Sequence, residues 1–177
     1  MKTSRTLSAL LLALSLSVAA PAMADDFDTA VSYLNTQNYK QALPIFTKLA
    51  NQGDARAQYG LGVMYDNGQG IKKNDAQAVA WFTKAAEQGL AEAQYNLGNK
   101  YVNGEGVRQS YAQALAWYNK AQAQGVAQAA HNIGVLYLSG EGINQDYTAA
   151  KEWFGRACDL GFQDGCNTYK MLSQRGY

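Results

Sequence analysis

Residues able to carry chemistry are few in this sequence: two cysteines, Cys158 and Cys166, and a single histidine, His131. A zinc site built from Cys and His would need nearly all of them at once, which argues against a metalloenzyme. Seven residues separate the cysteines, so they lack the C-x-x-C spacing of a redox pair, and a structural disulfide is the alternative. Beyond residue 24 the serines are Ser32, Ser110, Ser139 and Ser173, none beside a plausible base in sequence. No S-x-x-K, G-x-S-x-G, H-E-x-x-H or Walker loop is present there. Gly68-Gln69-Gly70 resembles half a phosphate cradle, but it follows a helical pattern and recurs three times, so it reads as a turn. Asp25, Asp26 and Asp28 form a solvated acidic tip, and paired carboxylates for acid–base work are not expected elsewhere. The sequence therefore assigns no catalytic residue, no cofactor and no metal.

Charge excludes further classes. The 177 residues hold 15 Lys+Arg and 14 Asp+Glu, so no global field draws the chain to nucleic acid or an anionic membrane. Lys72-Lys73 is the one adjacent basic pair, and Arg108 and Asn144 stand in its place further on, so no basic stripe is predicted. With 47% hydrophobic and 16% charged residues the chain is expected to pack rather than stay disordered.

The elements that must position these residues begin after a leader. Lys2 and Arg5 precede an apolar run from Leu7 to Ala20, then Pro21 and the small-x-small triplet Ala22-Met23-Ala24. This pattern predicts a secretory signal peptide over 1–24, cleaved after Ala24. The run is shorter than a bilayer span of about 20 residues, so no membrane insertion is expected after cleavage.

Past the leader, one spacing dominates. Trp81, Trp117 and Trp153 are each 36 residues apart, and Gly62/Gly98/Gly134, Tyr65/Tyr101/Tyr137, Ala78/Ala114/Ala150 and Gly89/Gly125/Gly161 keep the same offset. Units at 55–90, 91–126 and 127–162 follow, with partial units at 25–54 and 163–177. Within a unit, Ala57, Leu61 and Met64/Tyr65 form one helical stripe and Ala78, Trp81/Phe82 and Ala85 a second. Gly68 and Gly70 end the first helix and Gly89 the second. Gly62 lies mid-helix, where close approach of a neighbouring helix backbone would offset its cost of about 1 kcal/mol relative to Ala. A lone hairpin cannot bury its apolar side, so the units must stack. The expected fold is all-α: a right-handed α-solenoid of antiparallel helix pairs, about nine helices after the leader, with a concave face lined by the first helices.

The pattern A-x-A-x-x-x-L-G-x-x-Y-x-x-G-x-G-(I/V), then A-x-x-W-(F/Y)-x-(K/R)-A-x-x-x-G, stands at Ala55–Ile71 with Ala78–Gly89 and again in the next two units. It resembles the Sel-one-like repeat (SLR), a relative of the tetratricopeptide repeat. Residues 25–54 lack the Gly-x-Gly loop and, with Ala30, Tyr33, Ala42, Phe46 and Leu49, look like a tetratricopeptide-like capping hairpin; 163–177 reads as a C-terminal half-repeat cap. Antiparallel neighbours bring Cys158 and Cys166 together, and export exposes them to an oxidising compartment, so a disulfide worth roughly 2–3 kcal/mol is expected. The spacing A-C-x-x-G-x-x-x-G-C also resembles the cysteine-rich secreted SLR branch, some of whose members are described as penicillin-binding or β-lactamase-like.

Aligning the first helices with tetratricopeptide ones names the groove-facing positions: Arg56, Tyr59, Val63 and Asp66; Glu92, Tyr95, Asn99 and Val102; Gln128, His131, Val135 and Leu138. Tyr59, Tyr95 and His131 form a column of amphipathic rings, which either anchor a partner or pack within the array. The resemblance implies an adaptor or assembly role, the leader a periplasmic or secreted location, and the charge pattern no nucleic acid; the expectation is a monomeric, non-enzymatic scaffold with a protein or peptide partner. The alternative is a β-lactam hydrolase.

Overall fold

Helix boundaries fall where the sequence changes its capping chemistry. A computed structural model describes residues 20–177; the leader expected over 1–24 lies outside them except at its end. Among the described residues there are nine helices and no strand: α1 (Ala20–Asn35), α2 (Tyr39–Asn51), α3 (Ala55–Asn67), α4 (Asp75–Glu87), α5 (Ala91–Asn103), α6 (Tyr111–Gln122), α7 (Ala127–Ser139), α8 (Tyr147–Asp159) and α9 (Gln163–Gln174). Each helix packs on its sequence neighbours, so the array is built from nearest-neighbour interfaces.

The second helices α4, α6 and α8 start behind Asn74, Ser110 and Asp146, whose side chains accept backbone N–H bonds from Gln77, Gln113 and Ala149. The first helices α5, α7 and α9 start behind Leu90, Val126 and Phe162 and have no side-chain cap. Leu90 and Val126 instead press into the cores of their junctions. Apolar burial replaces a capping bond at these ends.

The mid-helix glycines have a different cause from the one the sequence suggested. A β-carbon on Gly62 would lie 2.7 Å from the Phe82 ring, on Gly98 2.5 Å from Tyr118, and on Gly134 3.0 Å from Phe154. The close neighbour is thus a buried ring from the second helix of the same unit, not a neighbouring helix backbone. Removing the side chain lets the ring reach the helix barrel, and all three rings are almost wholly inaccessible to solvent. A second tight seat occurs at Gly106, at positive φ, where a β-carbon would stand 2.3 Å from the Asp75 carbonyl of the preceding unit.

Junctions between units repeat one bond. Gln58 Nε2 donates to the Ala50 carbonyl at 3.2 Å, and Gln94 Nε2 to the Ala86 carbonyl at 3.1 Å. One repeat further on these slots hold Ala130 and Gln122; one further again they hold Cys166 and Cys158, which form a disulfide. The covalent bond therefore occupies the place of the glutamine clamp, and the junction of α6 with α7 has neither.

The tryptophans tie units together from the second helices. Trp81, Trp117 and Trp153 each pack half-buried on the core of the preceding unit. Their outer faces carry Lys84 at 3.9 Å, Lys120 at 4.0 Å and Arg156 at 4.3 Å from the ring centroid. With Lys48, which pairs with Asp26 at 2.8 Å, these cations share one register. A basic row does run along the second helices, contrary to the expectation drawn from Lys72-Lys73. Its charges sit over indoles or against a carboxylate.

Gly98→Ala should lower stability by about 1–2 kcal/mol in chemical denaturation, because overpacking against Tyr118 outweighs the gain in helix propensity. Gln122→Cys with Ala130→Cys should form a second disulfide, seen as loss of titratable thiol, and add roughly 2–3 kcal/mol. Thiols that stay free would contradict the equivalence of the junctions.

Candidate functional site

Two polar groupings interrupt the apolar repeat, and both centre on α5. The first is Lys100, which occupies the slot held by Met64 and Leu136 in the flanking units and is 5% exposed. Its ammonium donates to Asp66 of α3, to Asp75 of α4 at 3.3 Å and to Glu105 of its own loop at 2.7 Å. Burial alone would lower the Lys100 pKa, but the bonds to Asp66, Glu105 and Asp75 outweigh it and hold it above the usual lysine value. Glu105 is held below its ordinary value, chiefly by the Lys100 hydrogen bond. Asp75 is lowered as well: partial burial opposes the shift, and Lys100 and then Lys73 override it. Paired carboxylates were not expected here, yet those of Asp66, Asp75 and Glu105 lie within 4.8 Å of one another. That spacing could hold a divalent ion, but the Lys100 ammonium stands among them and bonds all three. The grouping is an ionic clamp between units.

The second grouping lies between α5 and α7. Tyr118 of α6 fills a slot that holds Phe46, Phe82 and Phe154 elsewhere, so its hydroxyl needs partners the other units lack. It donates to Asn99 Oδ1 at 2.6 Å, and Asn132 Nδ2 donates to Asn99 Oδ1 at 3.1 Å and to the Tyr118 oxygen at 3.2 Å. Burial pushes the phenol up to about 12. These three groups floor a cavity of ≈ 310 Å³. Val102, Val135 and Leu136 form its apolar walls, and Asn103 and Glu141 stand at its edge.

Of the twelve positions named from sequence, Asn99, Val102 and Val135 are brought together at this cavity. Asp66 is engaged with Lys100, and Arg56 lies 4.1 Å over the Phe27 ring and pairs with Asp54 at 3.5 Å. Glu92 and Gln128 are exposed, and Val63 and Leu138 pack half-buried on neighbouring cores. The rings at the column positions are half-buried against the second helix of their own unit: Tyr59 is 5.7 Å from Phe82 and Tyr95 is 6.0 Å from Tyr118. The Tyr59 hydroxyl accepts from Asn96 at 3.3 Å, and burial raises its pKa. His131 lies between Phe154 at 5.1 Å and Phe162 at 5.0 Å, its Nδ1 without a hydrogen-bond partner. Burial lowers its pKa, with a weaker opposing effect of Asp164. Tyr118, Asn132 and Lys100 were missed by the sequence reading, although each departs from its repeat slot or lies beside a residue that does.

A family model described as the Sel1 repeat matches residues 55–90, 91–126 and 127–162. Among solved structures, a protective antigen present in uropathogenic Escherichia coli strains, displaying an SLR fold, is 31% identical with a TM-score of 0.84, over 87% of this chain and 34% of that one. A Sel1 repeat protein from Oxalobacter formigenes is 33% identical with a TM-score of 0.79, over 85% of this chain and 62% of that one. This chain thus spans about a third of the first relative and under two thirds of the second. Cysteine-rich protein B of Helicobacter pylori shares the fold at 22% identity and a TM-score of 0.58, over 73% of this chain and 93% of that one. A search of curated proteins found no match.

The ionic clamp makes stability depend on pH in a defined sense. Because the folded-state carboxyls of Asp75 and Glu105 lie below their ordinary values, their contribution is complete above the carboxylate range and is lost as pH falls through it. Lys100→Met leaves three carboxylates facing one another, so Tm should fall by several degrees at neutral pH. Protonation relieves that repulsion, and the gap to wild type should narrow from about pH 6 to about pH 4. A gap independent of pH would show that the cluster is not coupled to folding.

Proposed function

This chain belongs to the Sel1 repeat family, and we propose that it is an exported, non-enzymatic scaffold binding a protein or peptide segment along its concave first-helix face. The cavity between α5 and α7 carries this reading. It combines an apolar wall with amide groups, the composition of a binding surface rather than of a reaction centre. Its lining has no serine, cysteine or histidine, and the Tyr118 hydroxyl stays protonated at neutral pH, so nothing there serves as an activated nucleophile for the hydrolase alternative. Arg56, Tyr59, Val63, Asp66, Glu92, Tyr95, Gln128, His131 and Leu138 would extend the face on either side of Asn99, Val102 and Val135. Val135 is 40% exposed at the cavity, a large apolar side chain available to a partner.

The disulfide Cys158–Cys166 favours an oxidising compartment, periplasmic or extracellular, as does the leader pattern. No helix among the described residues is long and apolar enough to cross a membrane.

Peptide display against the purified protein tests the proposal. Random peptides enriched by wild type should lose at least tenfold in affinity to Val135→Arg, which fills the cavity from an exposed position and leaves circular dichroism unchanged. Peptides that bind both proteins equally would remove the cavity from the binding surface.

A further inference from the structure

The cavity is uneven in its chemistry, and this unevenness selects among peptides. At ≈ 310 Å³ it has room for one side chain with its adjoining backbone. Val102, Val135 and Leu136 offer that side chain only aliphatic surface. On the floor, Asn99 Oδ1 accepts twice, and Asn132 Nδ2 donates to Asn99 Oδ1 and to the Tyr118 oxygen, which lie 2.6 Å apart and so share one of its hydrogens. Asn99 Nδ2 and Asn132 Oδ1 are left, among the described residues, with no intramolecular partner. An amide donor and an amide acceptor in one lining are the groups that pair with the carbonyl and N–H of a peptide unit.

The edge is anionic. Glu141 is the one charged side chain in the lining, and it forms no salt bridge among the described residues. Beside it, Asn103 donates to Glu105 Oε1 at 3.3 Å, which joins the cavity edge to the Lys100 clamp. There three carboxylates meet the Lys100 ammonium, with Lys73 at 3.5 Å from Asp75 on the outside, so the cluster still carries a net negative charge. A cationic side chain is attracted here and a carboxylate is repelled.

Resting on the reading of this face as a peptide-binding surface, we propose that the cavity selects an extended segment with an aliphatic residue next to a lysine or arginine. The aliphatic group enters between Val102, Val135 and Leu136. The neighbouring peptide unit pairs with Asn99 and Asn132, and the cation reaches Glu141.

The test is selection from a random decapeptide library on wild type and on Glu141→Lys, followed by fluorescence anisotropy of the enriched peptides. Wild type should enrich aliphatic–basic pairs whose affinity falls with added salt. Glu141→Lys should weaken those peptides by about tenfold and enrich acidic ones instead. Enriched peptides without a basic residue, or with affinity indifferent to Glu141→Lys, overturn the inference; if Val135→Arg still abolishes their binding, the reading of the face survives. No enrichment, or enrichment untouched by Val135→Arg, overturns both.

Discussion

Each full unit of this protein depends on one fit: an aromatic ring from the second helix lying where the first helix has no β-carbon. Phe82 on Gly62, Tyr118 on Gly98 and Phe154 on Gly134 bring the helices of each hairpin close enough to form a core from alanines and a few leucines. Small residues at Ala57, Ala78, Ala93, Ala114 and Ala129 are fully buried because the helices approach so closely. The tryptophans then carry each hairpin onto the one before it. Hairpin and junction are separate fits, and so a unit can change its sequence where the units beside it supply matching partners.

The middle unit uses that freedom. A hydroxyl added to the seated ring, as Tyr118, is answered by Asn99 and Asn132; a lysine in an apolar slot, as Lys100, is answered by carboxylates from three segments. Both changes lie on α5 or against it, and both concentrate polarity near the cavity shared with α7. The junction beneath that cavity lacks the glutamine bond found at α2–α3 and α4–α5 and the disulfide found at α8–α9. The hydrogen bond of Asn132 to Tyr118 crosses this junction in their place.

Much of this is legible in the sequence. Three tryptophans at one spacing, with glycines at fixed offsets, specify helix pairs and their ends, because each glycine answers a local need for positive φ or for the absence of a side chain. The disulfide was legible from the proximity of neighbouring helices. What escaped was the identity of long-range partners. The role of Gly62 was assigned to a backbone because helical periodicity locates a face but not the side chain that fills it. The carboxylates of Asp66, Asp75 and Glu105 come from a helix, the start of another and a loop, and their convergence depends on how two units are inclined. Asn99 was named from its face, but Tyr118 and Asn132 were not, since a phenol in a phenylalanine slot signals a need for partners without saying which.

A partner backbone docked in the cavity between α5 and α7 would be reported by the amides that line it. Side-chain amide resonances of Asn99 and Asn132 would be followed by NMR while a display-selected peptide is added. Both should shift with the peptide while the junction glutamines Gln58 and Gln94 stay in place. Shifts confined to the second helices, with Asn99 and Asn132 unmoved at saturation, would contradict it.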